Sequence, residues 1–179
     1  MQKSLSIYNF QPNETIASIG ASSGVWEIWF ASQVEGLTFY LQDIDPLNCN
    51  QEEINYGIKY YEKLLQKSIS GIFIPIIGTQ SETDLPQNIF DKVLIINSFH
   101  EFETPSLILQ DIQRILNLNG QLFIEEQMSK STGEIHEGCG KRLFTEIELI
   151  NLLKENQFRL EEVYSKSENV VIYQFKSTF

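Results

Sequence analysis

Short apolar runs alternate with amphipathic segments along most of the chain. Five runs have the length and composition of buried strands: residues 16–19, 37–45, 71–77, 90–99 and 121–126. Four other segments show the spacing of amphipathic helices: residues 25–34, 51–67, 104–116 and 145–157. This alternation predicts a parallel sheet with helices on both faces, doubly wound through right-handed crossovers.

The last part of the chain has a different pattern. The stretch "NLNG", residues 117–120, is predicted to stop the helix before it. Residues 158–176 contain two alternating stretches around a polar turn, which predicts a C-terminal antiparallel hairpin. We therefore expect a single α/β domain over residues 1–179, in which residues 1–13 are a short N-terminal extension.

Composition and charge exclude several classes of protein. The 179 residues suit one domain with a sizeable core. Acidic residues outnumber basic ones by 24 to 13, and this balance disfavours a nucleic-acid partner. No apolar run is long enough to span a bilayer, and the first residues lack the apolar block of a signal peptide. With only Cys49 and Cys139, we expect a reducing, cytoplasmic environment rather than a disulfide framework.

A glycine turn follows the first predicted strand. Gly20 and Gly24 can adopt positive φ angles or admit a ligand close to the backbone, and a helix N-terminus follows them. Asp43 closes the second strand about twenty residues later, where a carboxylate can accept hydrogen bonds from two ribose hydroxyls. In a structural interpretation, the glycines only shape a sharp turn and Asp43 only caps the next helix.

In order and spacing, the chain resembles the class I S-adenosylmethionine-dependent methyltransferases. The resemblance rests on five stretches, in this order: "IASIGASSG", "FYLQDID", "NIFDKVLIINSFHEF", "DIQRILNLNGQLFIEE" and the closing hairpin. It implies a mostly parallel, seven-stranded Rossmann-like sheet whose last strand is antiparallel. It also implies S-adenosylmethionine as cofactor and a methyltransferase activity.

The resemblance also implies positions for the cofactor-binding residues. The methionyl part would lie against the glycine turn, the ribose against Asp43, and the adenine near the loop after the third strand. The residues concerned are Gly20, Ala21, Ser22, Gly24, Asp43, Ile44, Thr79, Gln80, Asn97, Ser98 and Phe99. Two positions depart from the family pattern: Ser18 replaces an acid and Ser22 replaces a glycine, so Ser18 supplies no charge to the cofactor's ammonium group.

The only two histidines follow the fourth and fifth strands, in loops at the carboxyl edge of the sheet. We therefore predict that His100, His136 and Glu126 are the catalytic residues, with a histidine as general base. Alternatively, these side chains are ordinary loop residues. His136 and Cys139 also have a metal-ligand spacing, but no second cysteine or histidine cluster stands nearby in sequence, so we predict no metal site.

Three functions remain open. The first is methyl transfer to a small-molecule acceptor; the second is a non-catalytic binding subunit, which the serines and the missing cap over the pocket favour. The third, an NAD-dependent oxidoreductase, also fits the glycine turn and Asp43, but the terminal hairpin counts against it. We expect no membrane partner, and a homodimer or partner subunit could cover the open pocket.

Overall fold

The computed structural model of the chain, described here for residues 1–178, contains a seven-stranded sheet and five α-helices. The strands are β1 (Thr15–Ile19), β2 (Thr38–Asp43), β3 (Ile72–Ile77), β4 (Phe90–Ile96), β5 (Leu116–Gln127), β6 (Phe158–Ser165) and β7 (Val170–Ser177). The helices are α1 (Gln2–Tyr8), α2 (Val25–Ala31), α3 (Gln51–Leu65), α4 (Pro105–Ile115) and α5 (Glu146–Glu155). A 3-10 turn covers Phe99–Glu101.

The strand order is β3-β2-β1-β4-β5-β7-β6. Neighbouring strands from β3 to β5 pair in parallel, whereas β7 pairs antiparallel with both β5 and β6. The predicted α/β class, the doubly wound sheet and the C-terminal antiparallel hairpin are therefore confirmed. The order reverses between β1 and β4, and a ligand of such a sheet binds beside this point, at the carboxyl ends of the strands.

A hydrophobic core lies on each face of the sheet. Successive side chains of a strand point to opposite faces, so Ile16 packs in the core with α1, α2 and α3, while Ala17 packs in the core with α4 and α5. The near-continuous apolar strands follow from burial on both faces.

Two segments differ from the sequence prediction. Residues 1–13 contain α1, which the pattern did not predict, and the Tyr8 ring at its end is buried in the core. Helix α4 ends at Ile115, before the stretch 117–120, but β5 begins at Leu116 instead of at the predicted residue 121 and runs through this stretch. A shift in the pairing with β4 accommodates the extra residues, and Leu118 is 82% exposed there.

Helix length also bears on the membrane prediction. Within residues 1–178, none of the helices combines the length and the apolar character needed to cross a bilayer.

Candidate functional site

The glycine turn after β1 is held against the ends of β2 and β4. Gly20 has a φ angle of 71°, and its N–H donates to the carbonyl of Gln42 over 2.9 Å. A Cβ atom at Gly20 would lie 2.5 Å from Oγ of Ser98, whose hydroxyl donates to the carbonyl of Ile19. A residue with a side chain would therefore both strain the backbone and displace Ser98.

Asp43 is held rigidly by backbone donors. The N–H of Ser22 donates to Oδ2 over 2.8 Å, and the N–H groups of Ile44 and Asp45 donate to Oδ1 over 2.8 and 3.0 Å. A carboxylate has about four acceptor positions, so Asp43 keeps capacity for a further donor. Its orientation is fixed before any ligand arrives, and it also ties the glycine turn to the end of β2.

A cavity of about 290 Å³ opens at this carboxyl edge, beside the reversal of strand order. Most of the predicted cofactor residues line it: Gly20, Ser22, Asp43, Ile44, Thr79, Gln80, Asn97 and Ser98. The structure thus brings together residues from the ends of four strands, as the sequence predicted for a ligand site.

Three predicted cofactor residues do not line the cavity. Ala21 instead donates its N–H to the carbonyl of Gln42. Gly24 precedes α2 with a φ angle of 71°, and a Cβ atom there would lie 2.4 Å from a methyl group of Leu41, so this glycine permits helix–strand packing. The Phe99 ring is fully buried in the core.

Other residues of the cavity were not among the predicted cofactor residues: Ile19, Gln42, Glu101, Phe102 and Ile108. Gln42 carries a usable signal, because it is a polar residue in an otherwise apolar run and is 2% exposed. Phe102 and Ile108 carry none, since only the path of the chain from the 3-10 turn into α4 brings them to the cavity.

A buried acid lies against the serine at position 18. The hydroxyl of Ser18 donates to Oε1 of Glu27 over 2.5 Å, and Glu27, on the first turn of α2, is 1% exposed. Its Oε2 has no hydrogen-bond partner within residues 1–178. Burial raises the pKa of Glu27 to about 7, although the hydrogen bond from Ser18 opposes this shift. A carboxyl group from α2 thus lies beside Ser18, although Glu27 does not line the cavity.

The predicted catalytic residues form a cluster next to the cavity. Nδ1 of His100 lies 2.9 Å from Oε1 of Glu126, and both side chains are fully buried. On the other side of the ring, Nε2 of His100 lies 3.3 Å from Sγ of Cys139. His136 is also in the cluster, with Nδ1 3.2 Å from the same sulfur. The structure therefore brings all three predicted residues into one cluster, in which both histidines contact Cys139 and Glu126 contacts His100.

The charge state of His100 depends on these neighbours. Burial disfavours the imidazolium, but the Glu126 carboxylate and Cys139 together outweigh it and raise the pKa of His100 to about 9. None of His100, His136 and Glu126 lines the cavity; Glu101 does, and its Oε1 lies 3.8 Å from Nε2 of His100. A catalytic role for the three residues stays a prediction.

Comparison with known proteins identifies the family. The family model described as "Methyltransferase domain" matches residues 18–124, more than half of the chain. The chain belongs to the class I S-adenosylmethionine-dependent methyltransferases, whose cofactor is S-adenosylmethionine. A search of curated protein sequences finds no match.

Solved structures share the fold at low sequence identity. An S-adenosylmethionine-dependent methyltransferase from Aquifex aeolicus is 18% identical, with a TM-score of 0.74, over 97% of this chain and 87% of that one. A second structure is a Burkholderia thailandensis 1,6-didemethyltoxoflavin-N1-methyltransferase with bound 1,6-didemethyltoxoflavin and S-adenosylhomocysteine. It is 19% identical, with a TM-score of 0.70, over 99% of this chain and 76% of that one. A third structure is a chain from the complex between the Haloferax volcanii Trm112 methyltransferase activator and a putative methyltransferase. It is 13% identical, with a TM-score of 0.74, over 97% of this chain and 87% of that one.

The residues at the cavity fit this cofactor. The preorganised Asp43 carboxylate suits a ribose diol, and Gly20, whose missing side chain makes room for Ser98, lines the same cavity. Thr79, Gln80 and Asn97 add hydroxyl and amide groups around the same space.

Proposed function

We propose that the chain transfers a methyl group from S-adenosylmethionine to a small-molecule acceptor. The observation that carries this proposal is the cavity at the strand-order reversal, where a rigid Asp43 faces the same space as the glycine turn. The bound cofactor would supply an already activated methyl group, so the protein has mainly to align the acceptor and exclude water.

The character of the cavity supports a small acceptor. Phe102 and Ile108 give it an apolar wall, and Glu101 places a carboxylate on the same wall. The formal charge of −11 disfavours a polyanionic substrate. The 1,6-didemethyltoxoflavin-N1-methyltransferase has the same fold and holds the small molecule 1,6-didemethyltoxoflavin, which supports the same substrate class.

Calorimetric titration with S-adenosylhomocysteine, and with NAD in parallel, tests the cofactor assignment. We expect S-adenosylhomocysteine to bind and NAD not to bind. Asp43→Ala should weaken the binding of S-adenosylhomocysteine by about 1–3 kcal/mol, because the ribose hydroxyls lose their charged acceptor. Asp45→Ala is a matched control: this neighbouring carboxylate bonds Leu47 and Asn48 and does not line the cavity, so affinity should be unchanged.

Asp43 also ties the glycine turn to β2, so the unfolding midpoint of each variant has to be measured alongside its affinity. Asp43→Asn, which keeps one carbonyl acceptor, should fall between wild type and Asp43→Ala in both measurements. If Asp43→Ala binds S-adenosylhomocysteine as tightly as wild type, the ribose assignment is wrong.

Release of S-adenosylhomocysteine from S-adenosylmethionine, measured over a panel of small oxygen, nitrogen and sulfur nucleophiles, tests the activity itself. Acceptor-dependent release supports the proposal. Tight cofactor binding without release by any acceptor would instead favour a non-catalytic binding subunit. In that case a partner subunit is the next thing to test, because a chain of the same fold occurs in a complex with a methyltransferase activator.

A further inference from the structure

Three potential metal ligands converge beside the cavity, although they come from two separate loops. His100 lies in the 3-10 turn after β4, and His136 and Cys139 lie in the loop after β5. One ligand atom from each residue can be chosen so that all of them lie within 4.8 Å of one another. From this geometry we propose that His100, His136 and Cys139 form a zinc-binding site.

Two of the three ligand distances are close to those of a tetrahedral ion. Zinc binds sulfur at about 2.3 Å and imidazole nitrogen at about 2.0–2.1 Å, which places ligand atoms roughly 3.3–3.6 Å apart. Sγ of Cys139 lies 3.3 Å from Nε2 of His100 and 3.2 Å from Nδ1 of His136. The three ligand atoms together span up to 4.8 Å, so the half-buried His136 ring has to turn inwards when it binds the ion. A donor set of two imidazoles and one thiolate favours zinc over magnesium or calcium, which prefer oxygen ligands.

Glu126 orients the buried imidazole for this role. Oε1 of Glu126 lies 2.9 Å from Nδ1 of His100, while Oε2 accepts a hydrogen bond from the backbone N–H of His100 over 3.3 Å. A carboxylate on one ring nitrogen directs the other towards a metal, and this arrangement recurs behind zinc-bound histidines. The pair is fully buried, so the direction of Nε2 towards Cys139 is fixed by the fold.

The loop after β5 presents its two ligands from a tight turn. His136 and Cys139 are separated by two residues, a spacing that zinc sites use. The N–H of Gly140, which has a φ angle of 71°, donates to the carbonyl of His136 and closes the turn. The bare backbone at Gly138 leaves room for the His136 ring, since a Cβ atom there would lie 3.1 Å from Cε1.

Glu101 offers a fourth ligand for the zinc ion from the side of the cavity. Oε1 of Glu101 lies 3.8 Å from Nε2 of His100, and Glu101 also lines the cavity. Its carboxylate or a water molecule can complete the coordination. The zinc site would therefore border the space assigned to the substrate, but its existence does not depend on methyl transfer.

Metal titration of the full chain, prepared without a histidine tag and stripped with a chelator, tests the site. We expect one equivalent of Zn²⁺ to bind, and one equivalent of Co²⁺ to give thiolate-to-cobalt charge-transfer absorption. Cys139→Ser should abolish this absorption. His136→Ala should weaken Zn²⁺ binding further than Glu126→Gln, for which loss of an outer-shell partner predicts about a 10–100-fold effect.

The chain provides its own controls, because it contains only two cysteines and two histidines. Cys49→Ala removes the other, buried cysteine and should leave both the absorption and the affinity unchanged. Circular dichroism checks that each variant is folded. Cys139 is exposed, so its replacement by serine should not disturb the core.

The proposal is overturned if wild type binds no stoichiometric Zn²⁺. It is equally overturned if the cobalt absorption survives in Cys139→Ser, or if His136→Ala binds Zn²⁺ as wild type does. S-adenosylhomocysteine binding, measured on the same preparations, reports separately on the proposed function. Failure of the zinc proposal is therefore distinguishable from failure of the proposed methyl transfer.

Discussion

The carboxyl group of Glu27 lies against Ser18, under the glycine turn, with one oxygen bonded and the other without a partner in the described part of the chain. In the unfolded chain this group has an ordinary pKa near 4.5, whereas burial raises the pKa to about 7 in the folded protein. Between these values the folded state binds more protons than the unfolded state, so this group makes stability fall as pH rises.

Glu27→Gln should remove this pH dependence. The stability of wild type relative to the variant is expected to decline between about pH 4.5 and 7, by on the order of 3 kcal/mol in total, and to level off above that. Urea unfolding of both proteins at pH 5, 6, 7 and 8 measures the difference. A difference that is constant with pH would show that folding does not raise the pKa of Glu27.

At position 18, the acid typical of the family is expected to be harmful in this chain. Ser18→Asp places a second carboxyl group beside Glu27, where both are buried and only one can readily ionise. We expect a loss of more than about 2 kcal/mol at pH 8 and a smaller loss at pH 5, where the pair can share a proton.

Adding Glu27→Gln to Ser18→Asp provides the control for this prediction. The double variant should recover much of the stability lost at pH 8, because only one carboxylate remains. If Ser18→Asp is as stable as wild type at pH 8, the two side chains do not face each other as described.

At the scale of elements, helix α1 is joined to the C-terminal hairpin through Glu125. The hydroxyl of Tyr8 donates to Oε2 of Glu125 over 2.7 Å, and Lys166, between β6 and β7, forms an ion pair with the other oxygen. The Tyr8 ring also packs edge-on against Phe30 and Phe123. The N-terminal segment is therefore part of the core.

Tyr8→Phe keeps these ring contacts and removes only the donor to the buried carboxylate. We expect the free energy of unfolding to fall by about 1.5–3 kcal/mol, the range for hydrogen bonds to charged groups. Tyr173→Phe is the matched control, because the Tyr173 hydroxyl is buried without a partner in residues 1–178. This control should be neutral or slightly stabilising; equal losses in both variants would contradict the role of Tyr8.

At the scale of the whole molecule, the cavity proposed to bind the cofactor joins the ends of β1, β2, β3 and β4, so a ligand there should stabilise the entire sheet. S-adenosylhomocysteine at 100 times its dissociation constant stabilises the folded state by about 2.7 kcal/mol. For a chain of this size, the melting temperature should rise by roughly 5–11 °C.

Thermal unfolding with and without S-adenosylhomocysteine measures this shift. NAD at the same concentration should give none, and Asp43→Ala should show a smaller shift than wild type at equal ligand concentration. Equal shifts in wild type and Asp43→Ala would place the ligand away from Asp43.

The sequence by itself determined how strands and helices alternate along the chain from β1 onwards, the C-terminal hairpin and most of the residues around the cavity. These features depend on local spacing, because apolar runs form the strands. Gly20 follows β1 and Asp43 ends β2, and the carboxyl ends of these strands must meet at one edge of a parallel sheet. Helix α1 was missed because its stability comes from Tyr8 in a distant core, which seven residues of local pattern do not reveal.

Only the tertiary structure decided how the buried polar groups pair. Ser18 meets Glu27 because α2 packs its first turn against β1. His100 meets Cys139 because two loops leave the same edge of the sheet, although 39 positions separate the residues in sequence. Such contacts depend on the path of each loop after its strand. Side-chain periodicity reports which face of an element is buried, but not which distant group it meets there.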